Sequence, residues 1–327
     1  MVSTGNWPMI VLAGPTASGK TALAIRLAEC FGGEIVSCDS VAVYREMEIG
    51  TAKPTVEERA MVPHHMIDVA WPDEQVTAGD YSRMARESLR GIRERGAVPI
   101  VAGGTGLYLR ALIDGLFPAP PARPELRDRL RERAEARGTG HLHRVLTRLD
   151  ATAARAIHPN DVPKMIRAIE VSLASGVAGR GERGPMTEQW KQGRDRLTGY
   201  RILRLGLNPP RDRLYERINK RAAAMFDRGL IEETSKLIER YGRECRALGS
   251  LGYAQAAAVL AGEITREEAV AQAQQGHRNY AKRQLTWFRR DEEMQWLAGL
   301  GGEQDVMDET IRLSERFLKS EEASLLQ

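Results

Sequence analysis

The feature that most constrains this chain is a glycine-rich segment near its N-terminus. It reads, in order, Gly14, Pro15, Thr16, Ala17, Ser18, Gly19, Lys20 and Thr21, which matches the G-x-x-x-x-G-K-[ST] pattern of phosphate-binding loops. The apolar run 9–13 before it is typical of a buried parallel strand, and residues 21–30 after it have the apolar spacing of a helix. In this arrangement backbone N–H groups and a helix N-terminus face an anion, Lys20 adds a positive charge, and Thr21 offers a hydroxyl to Mg²⁺. We therefore predict a polyphosphate or diphosphate site, the alternative being a glycine-rich turn without such a role.

Strands and helices alternate through the first part of the chain. The predicted strands are 9–13, 34–37, 65–69, 98–102 and 200–207, and the predicted helices are 20–30, 81–94, 211–227, 230–241, 252–261, 266–290 and 306–318. This pattern predicts an α/β fold, a P-loop doubly wound parallel sheet core with a helical insertion domain. The predicted division is 1–119 for the first part of the core, 120–200 for the insertion, 201–300 for the return to the core, and 301–327 for a C-terminal helix and tail. Within the insertion, the Gly- and Arg-rich run 176–184 is predicted to be a loop.

Charge is unevenly distributed along the chain. The 327 residues carry a formal charge of only +4, but residues 123–148 contain eight arginines against four acids, and residues 277–290 contain five Lys or Arg and no acid. Such clusters suit an anionic polymer, although solvated helix faces have the same composition. The three cysteines lack the spacing of a metal site or a disulfide framework, and no segment has the length of a membrane span. We expect a cytoplasmic protein without membrane contact.

Two polar segments follow predicted strands, at the edge of the sheet where the phosphate-binding loop is expected. Asp39 comes after strand 34–37, and Thr105 lies in a glycine-rich segment after strand 98–102. Ligands of open parallel sheets bind at this carboxyl edge. Asp39 then has three candidate roles: to hold magnesium through a water, to act as general base toward an acceptor, or to cap the next turn. Thr105 supplies a hydroxyl, although a tight strand-to-helix turn requires the same flanking glycines.

Basic residues on two predicted helices are candidates for contact with phosphate. In helix 211–227, Arg217 and Arg221 lie four residues apart, and a guanidinium directed into the site would neutralise leaving-group charge. A solvated stripe paired with neighbouring acids is the alternative. Residues 275–289 are basic with interleaved aromatics, as in a strip that follows a ribose-phosphate chain. For Trp287, within that strip, we predict a core anchor instead.

The motifs taken together resemble one family. Besides the loop, the chain contains Asp39-Ser40 with Val43-Tyr44, Ile49–Pro54, His64–Asp68, Gly103–Tyr108, Asn160-Asp161 with Arg167–Val171, Gly229–Glu233, Leu251–Tyr253 and Tyr280–Phe288. In this order, and over nearly the whole chain, they resemble the tRNA dimethylallyltransferases, also called tRNA isopentenyltransferases. The resemblance implies transfer of the dimethylallyl group from dimethylallyl diphosphate to the exocyclic amino group of the adenosine 3′-adjacent to the anticodon. Diphosphate is released, and Mg²⁺ assists.

The resemblance also implies roles for individual residues. The catalytic set is Asp39 as general base with Lys20, Thr21 and Arg221. The donor diphosphate is expected on loop 14–21 with Arg217 and Arg221, and the metal on Thr21. The tRNA-binding set is Asp39, Ser40, Val41, Ala42, Thr105, Lys164, Arg167, Arg278, Lys282 and Arg283. The expected partners are the anticodon stem-loop of tRNA, recognised by the insertion and the basic strips, and dimethylallyl diphosphate. We expect a monomer.

Three positions depart from the family pattern. Ala42 stands where the family usually has Gln, Lys164 where it has Arg, and His277 where it has Thr. None removes the expected proton acceptor or the diphosphate cradle, so the chain is expected to be active. Two other enzyme classes remain as alternatives: a P-loop small-molecule kinase, and an isopentenyltransferase that acts on free adenine nucleotides. A further alternative is a protein that is not an enzyme: an RNA-binding protein whose phosphate-binding loop has lost its role.

Overall fold

The computed structural model describes residues 6–51, 53–117, 120, 122–174 and 195–320. Two compact units divide the chain: the first runs to Ile113 and resumes at Leu197, and the second is the segment between them, Asp114–Arg196. The run 176–184, predicted as a loop, and the residues after 320, predicted as a tail, lie outside the described residues. Within the described part of the chain, no helix combines the length and the apolar character needed to span a membrane.

A six-stranded parallel sheet lies at the centre of the first unit. Its strands are β1 (Trp7–Ala13), β2 (Gly33–Cys38), β3 (His64–His65), β4 (Val98–Gly103), β5 (Tyr200–Leu207) and β6 (Gln295–Leu297). Their order is β3-β2-β4-β1-β5-β6, and each neighbouring pair is parallel. Because β1 pairs with β4 on one side and β5 on the other, the loop after β1 leaves the sheet near its middle. The predicted α/β class with a parallel sheet is confirmed.

The helices account for most of the remaining described chain. They are α1 (Lys20–Phe31), α2 (Val56–Met61), α3 (Ala78–Glu94), α4 (Gly106–Ile113), α5 (Pro124–Arg137), α6 (Thr139–Leu149), α7 (Ala151–Ala156), α8 (Val162–Ala174), α9 (Arg211–Asp227), α10 (Leu230–Tyr241), α11 (Tyr253–Leu260), α12 (Arg266–Phe288) and α13 (Gln304–Lys319). Helices α2, α3 and α12 each begin with a capping box, in which Thr55, Thr77 or Thr265 accepts from the backbone N–H three residues later. These caps fix where the three helices start.

Both faces of the sheet are covered, which explains why its central strands are continuously apolar. Successive side chains of β1 alternate between the faces. Ile10 and Leu12 pack with residues of α1 and α13, whereas Met9 and Val11 belong to the core on the opposite face, with residues of α3, α4 and α10–α12. All four side chains are at most 1% exposed. The two layers hold the carboxyl edge of the sheet in place, and the loops at that edge therefore have a rigid base.

The second unit has its own core, built by α5–α8. Leu142, Leu146, Met165 and Ile169 are fully buried there. Its charged centre is Glu170, also fully buried, which accepts hydrogen bonds from side chains and a backbone N–H of the same unit: Arg127, Arg167 and Arg123 N. Burial by itself would raise the pKa of Glu170, but the donors from Arg127, Arg123 and Arg167 hold this pKa below its usual range.

Three details of the fold differ from the sequence prediction. The strand predicted at 65–69 is wrong in extent, because β3 comprises only His64 and His65. Met66 and Asp68 have positive φ values of 63° and 56°, which end the extended backbone. Strand β6 was missed because it has three residues and lies at the sheet edge. The short helices α2 and α4 were also missed.

Candidate active site

The phosphate-binding loop connects β1 to α1. Gly19 precedes the helix with a φ of 92°, a left-handed conformation that glycine adopts without steric cost. A Cβ at this position would lie 3.0 Å from Gly301 N, and Gly301 N itself donates to Ser18 O at 2.8 Å. The loop is therefore packed against the segment that follows β6, and a larger residue at Gly19 would have to displace one of them.

Lys20, the first residue of α1, bends back over the loop. Its Nζ donates to Gly14 O at 2.9 Å and to Pro15 O at 2.7 Å. Burial lowers the pKa of Lys20 to about 8; the Asp39 carboxylate opposes this shift, and Arg221 adds to it. An ammonium group in this position is stabilised by an anion in the loop, so a bound phosphate group would raise this pKa and would itself be held more tightly.

An arginine of α9 reaches the loop from the other side. Arg221 donates to Thr16 Oγ1. Burial lowers the pKa of Arg221, the Asp39 carboxylate opposes this shift, and Arg217 adds to it. Arg217, one turn earlier on the same helix, is exposed and lines the cavity beside the loop. The two predicted diphosphate-binding arginines therefore lie at the site, and Arg221 is the one that contacts a loop residue.

A cavity of about 660 Å³ lies at the carboxyl edge of the sheet. The predicted site residues that line it are Thr16, Ala17, Ser18, Gly19, Lys20, Thr21, Asp39, Ala42, Arg217 and Arg221. The structure thus brings the carboxylate and the cationic loop to the same cavity. Gly14 and Pro15 stand behind this lining, where their carbonyls hold the Lys20 ammonium.

Asp39 is held by the backbone that follows it. Its Oδ1 accepts from Val41 N at 2.8 Å and from Ala42 N at 3.2 Å. Both bonds use the same oxygen, and the described residues provide no hydrogen-bond donor to Oδ2. The carboxylate is therefore fixed in orientation through one oxygen, while the other is left to receive a proton or a substrate N–H. The capping role and the chemical role are compatible, because each uses a different atom.

Gln284 on α12 is a site residue to which sequence reasoning assigned no role. Its Oε1 accepts from Thr16 N at 2.8 Å, and its Nε2 donates to Gly104 O at 2.9 Å. The side chain is buried, and a Cβ at Gly104 would overlap it. One amide therefore joins the loop after β1 to the loop after β4. The available signal was its place among Ala273, Ala281 and other buried positions along one face of the helix.

The loop after β4 is joined to the Asp39 segment as well. Thr105 Oγ1 accepts from Ser40 N at 3.0 Å. Burial raises the pKa of Tyr280, also on α12, to about 12; the Asp39 carboxylate adds to this shift, and the neighbouring Thr105 and Gln284 oppose it. Thr105 and Ser40 thus connect β4 to β2 at the sheet edge. Together with Gln284, they hold the two sides of the cavity at a fixed separation.

The remaining residues of the predicted tRNA-binding set occupy three settings. Lys282 and Arg283 are exposed on α12, whereas Arg278 is half-buried and donates to Asn219 Oδ1 on α9. Lys164 and Arg167 belong to α8 of the second unit. Lys164 is exposed and paired with Asp161, and Arg167 is bound to Glu170 and the carbonyl of residue 120.

Trp287 corrects one prediction. It was expected to be a core anchor, but its side chain is 37% exposed, while the next residue, Phe288, is 2% exposed and packs in the core. Lys53, by contrast, was not singled out and lines the cavity. Its side chain is 1% exposed, and Nζ donates to Asp68 Oδ1 at 2.5 Å and to Tyr44 O at 2.6 Å. Its buried charge is therefore already paired.

The protein ligands offered to a metal ion are few. Across the described ranges, no group of three or more His, Cys, Asp and Glu side chains is placed to hold an ion. Thr21 lines the cavity next to Lys20. Mg²⁺ commonly takes one or two protein oxygens and completes its shell with water and substrate phosphates. The residues present therefore fit magnesium that arrives with a diphosphate.

Fold and site together define the class: an α/β P-loop protein in which a cationic phosphate cradle and an oriented carboxylate share one cavity. A family model described as IPP transferase matches residues 42–291. The tRNA dimethylallyltransferase of Koribacter versatilis (strain Ellin345) is 61% identical over 305 residues, covering 93% of this chain and 97% of that protein. The chain therefore belongs to the IPP transferase family.

Solved structures give the same relationship. The tRNA isopentenylpyrophosphate transferase of Bacillus halodurans superposes with a TM-score of 0.71 at 35% identity, covering 98% of this chain and 100% of that one. A eukaryotic dimethylallyltransferase acting on tRNA superposes with a TM-score of 0.74 at 25% identity, covering 89% of this chain and 74% of that one. The similarity spans the described units and is not limited to the phosphate-binding loop.

Proposed function

We propose that this protein transfers the dimethylallyl group of dimethylallyl diphosphate to the exocyclic amino group of the adenosine 3′-adjacent to the anticodon of tRNA. The observation that carries the proposal is the shared cavity, in which Asp39 faces the phosphate-binding loop. Membership of the IPP transferase family and the tRNA-directed names of its relatives support it. A small-molecule kinase would share the loop, but the family model and the relatives reported above are described as transferases of prenyl groups, not as kinases.

The reaction makes one bond and breaks one. The amino nitrogen of the adenine forms a bond to C1 of the dimethylallyl group, and the C1–O bond breaks with its electron pair leaving on diphosphate. The nitrogen loses a proton, which Asp39 Oδ2 is free to accept while Oδ1 stays bound to the backbone. A positioned general base is worth about 10²–10⁴ in rate.

The departing diphosphate is the larger electrostatic problem. Burial disfavours the charged forms of Lys20 and Arg221, so each cation is stabilised when negative charge develops beside it. Thr21 is the residue that would hold magnesium, with the remaining ligands from diphosphate oxygens and water. When bound, the ion neutralises part of the leaving-group charge. In this proposal the loop binds the prenyl donor and has no need to hydrolyse ATP.

The acceptor is an RNA with an exposed adenosine, which must leave its stack to reach the cavity. The exposed Lys282 and Arg283 of the first unit can contact phosphate groups of the anticodon stem-loop. Lys164 of the second unit is also exposed, but it is ion-paired with Asp161, so a phosphate group would have to replace that carboxylate. The protein acts as a cytoplasmic monomer in this proposal. Binding through such contacts weakens with salt, by about 0.7–0.9 in log K per phosphate neutralised and per tenfold rise in salt.

The deciding experiment supplies two labelled donors, dimethylallyl diphosphate and ATP, to the full chain with an anticodon stem-loop or with AMP. Label should reach RNA from dimethylallyl diphosphate alone, and AMP should compete poorly. Transfer of the ATP γ-phosphate to any acceptor, or faster prenylation of AMP than of the stem-loop, would overturn the proposal.

The proton acceptor is tested separately with Asp39→Asn. Asparagine keeps an oxygen for the N–H groups of Val41 and Ala42 but accepts no proton, so kcat should fall by about 10²–10⁴ with stem-loop affinity retained. Asp73→Asn, an exposed acid, is the matched control and should behave as wild type. Full activity of Asp39→Asn would remove Asp39 as the base.

A further inference from the structure

An exposed aromatic side chain with a rigid support lies beside the glycine-rich segment that follows β4. Trp287 is 37% exposed, and Leu107 on the neighbouring helix is 49% exposed. The indole lies against the backbone of Gly106, where a Cβ would overlap its ring. Gly106 therefore lets the indole approach the start of α4 closely, and one part of the ring is packed while another faces solvent.

The position of this pair relative to the chemistry follows from three contacts along α12. Tyr280 neighbours Thr105, Gln284 Nε2 donates to Gly104 O, and Trp287 packs on Gly106. The helix thus runs along the loop after β4, and Trp287 contacts the residue next to Thr105. Thr105 in turn accepts from Ser40 N, beside Asp39. The exposed indole therefore packs beside the loop whose Thr105 is bonded to the residue after Asp39.

Two arginines flank the pair. Arg283 lies four residues before Trp287 on α12, and Arg110 lies three residues after Leu107 on α4, so each shares a helix face with its apolar neighbour. Both arginines are exposed, and within the described ranges neither forms an ion pair with a carboxylate. The Arg283 guanidinium lies over the Tyr280 ring, 5.7 Å from its centroid. An apolar surface framed by unpaired cations suits a ligand that has flat apolar faces and negative charge.

We propose that Trp287 and Leu107 form a stacking platform for an unpaired nucleobase of the RNA substrate, flanking the adenosine that enters the cavity. The inference rests on the proposed function and adds a binding site to it. An indole face stacks on any base regardless of sequence, and Arg283 and Arg110 hold the adjoining phosphates. Such a platform would keep the neighbouring nucleotide outside the cavity while the acceptor base is unstacked.

The test measures steady-state kinetics with an anticodon stem-loop and dimethylallyl diphosphate for Trp287→Ala, Trp287→Phe and Leu107→Ala. Loss of one base–aromatic stack should raise the KM for RNA about 10- to 100-fold in Trp287→Ala. Trp287→Phe should stay within about 3-fold of wild type, because a phenyl ring still stacks. The KM for dimethylallyl diphosphate should not change. Val56→Ala, at another exposed apolar position, is the control.

A second readout does not depend on turnover. Stem-loop binding should quench the indole fluorescence of wild type more than that of Trp287→Phe. An RNA KM within twofold of wild type in Trp287→Ala, or equal quenching in both proteins, would overturn the platform. If wild type prenylates the stem-loop, such results leave the proposed function intact; if wild type does not, the function itself fails. If wild type sediments as a dimer and Trp287→Ala as a monomer, the patch is instead the contact surface for a second copy of this chain.

Discussion

The Gln284 amide offers the sharpest test of how the site is held together. Replacing Gln284 with Met keeps the volume and removes both hydrogen bonds, leaving Gly104 O and Thr16 N without this partner. Gly104 O is in a buried bond, so its loss costs about 1–3 kcal/mol. Thr16 N is half-buried and water can replace part of its bond, so its loss costs about 1 kcal/mol. We expect Gln284→Met to lower the free energy of unfolding by about 2–4 kcal/mol.

The assay is urea unfolding, followed by circular dichroism, together with donor binding. The matched control is Gln274→Met on the same helix, where the amide makes one half-buried bond to Asn219 O at 3.2 Å and the expected loss is below about 1 kcal/mol. Gln284→Met should also weaken diphosphate binding, because Thr16 is part of the cradle. Equal stability of the two variants would refute the argument that Gln284 fixes the loops.

Three further expectations follow from buried charges and a buried imidazole. His277 is 7% exposed, and burial lowers its pKa to about 4, with Arg221 adding to the shift. Its ordinary pKa is 6.5, so between pH 6.5 and pH 4 the unfolded chain binds a proton that the native chain does not, and stability falls as the pH drops. The free energy of unfolding, measured by urea titration, should fall by about 2–3 kcal/mol from pH 7 to pH 4.5 because of His277, and His277→Leu should lack this part of the loss. Glu170→Gln should destabilise the second unit by about 3 kcal/mol in thermal unfolding, whereas loss of the exposed Lys164 pair should cost less than about 1 kcal/mol. Because the pKa of Lys20 is lowered to about 8, pyrophosphate affinity measured by calorimetry should decline above that pH, and Lys20→Arg should not show this decline.

The parts of the site carried by local motifs could be predicted from the sequence. A strand, the glycines of loop 14–21 and the start of a helix follow one another within a short segment, and each of these has a local signature. Asp39 and Thr105 follow apolar strands, and the rule that parallel strands end at one edge is enough to bring them together. The structure places all three at the predicted edge, because β2, β4 and β1 are parallel neighbours whose carboxyl ends lie together.

Gln284 could not be predicted in the same way. Its two partners lie 268 and 180 residues away in the chain, and nothing in the local pattern of α12 distinguishes a glutamine that bridges two loops from one that is simply buried. Strand β6 was missed for a related reason, since three residues at a sheet edge carry too little periodicity. Both features depend on long-range packing, which a local pattern does not specify.

The choice between Arg217 and Arg221 shows where helical periodicity stops being informative. Both flank the apolar stripe of α9, which includes Leu214, Ile218 and Ala222. Four residues advance a helix by 400°, so Arg221 is rotated only about 40° from Arg217 and stands about 6 Å further along the axis. Such a difference is too small to read from a hydrophobic pattern, yet it decides which guanidinium reaches Thr16 Oγ1 and which remains exposed. It is set by how α9 packs against α12, so it could be learned only once the contacts between the two helices were known.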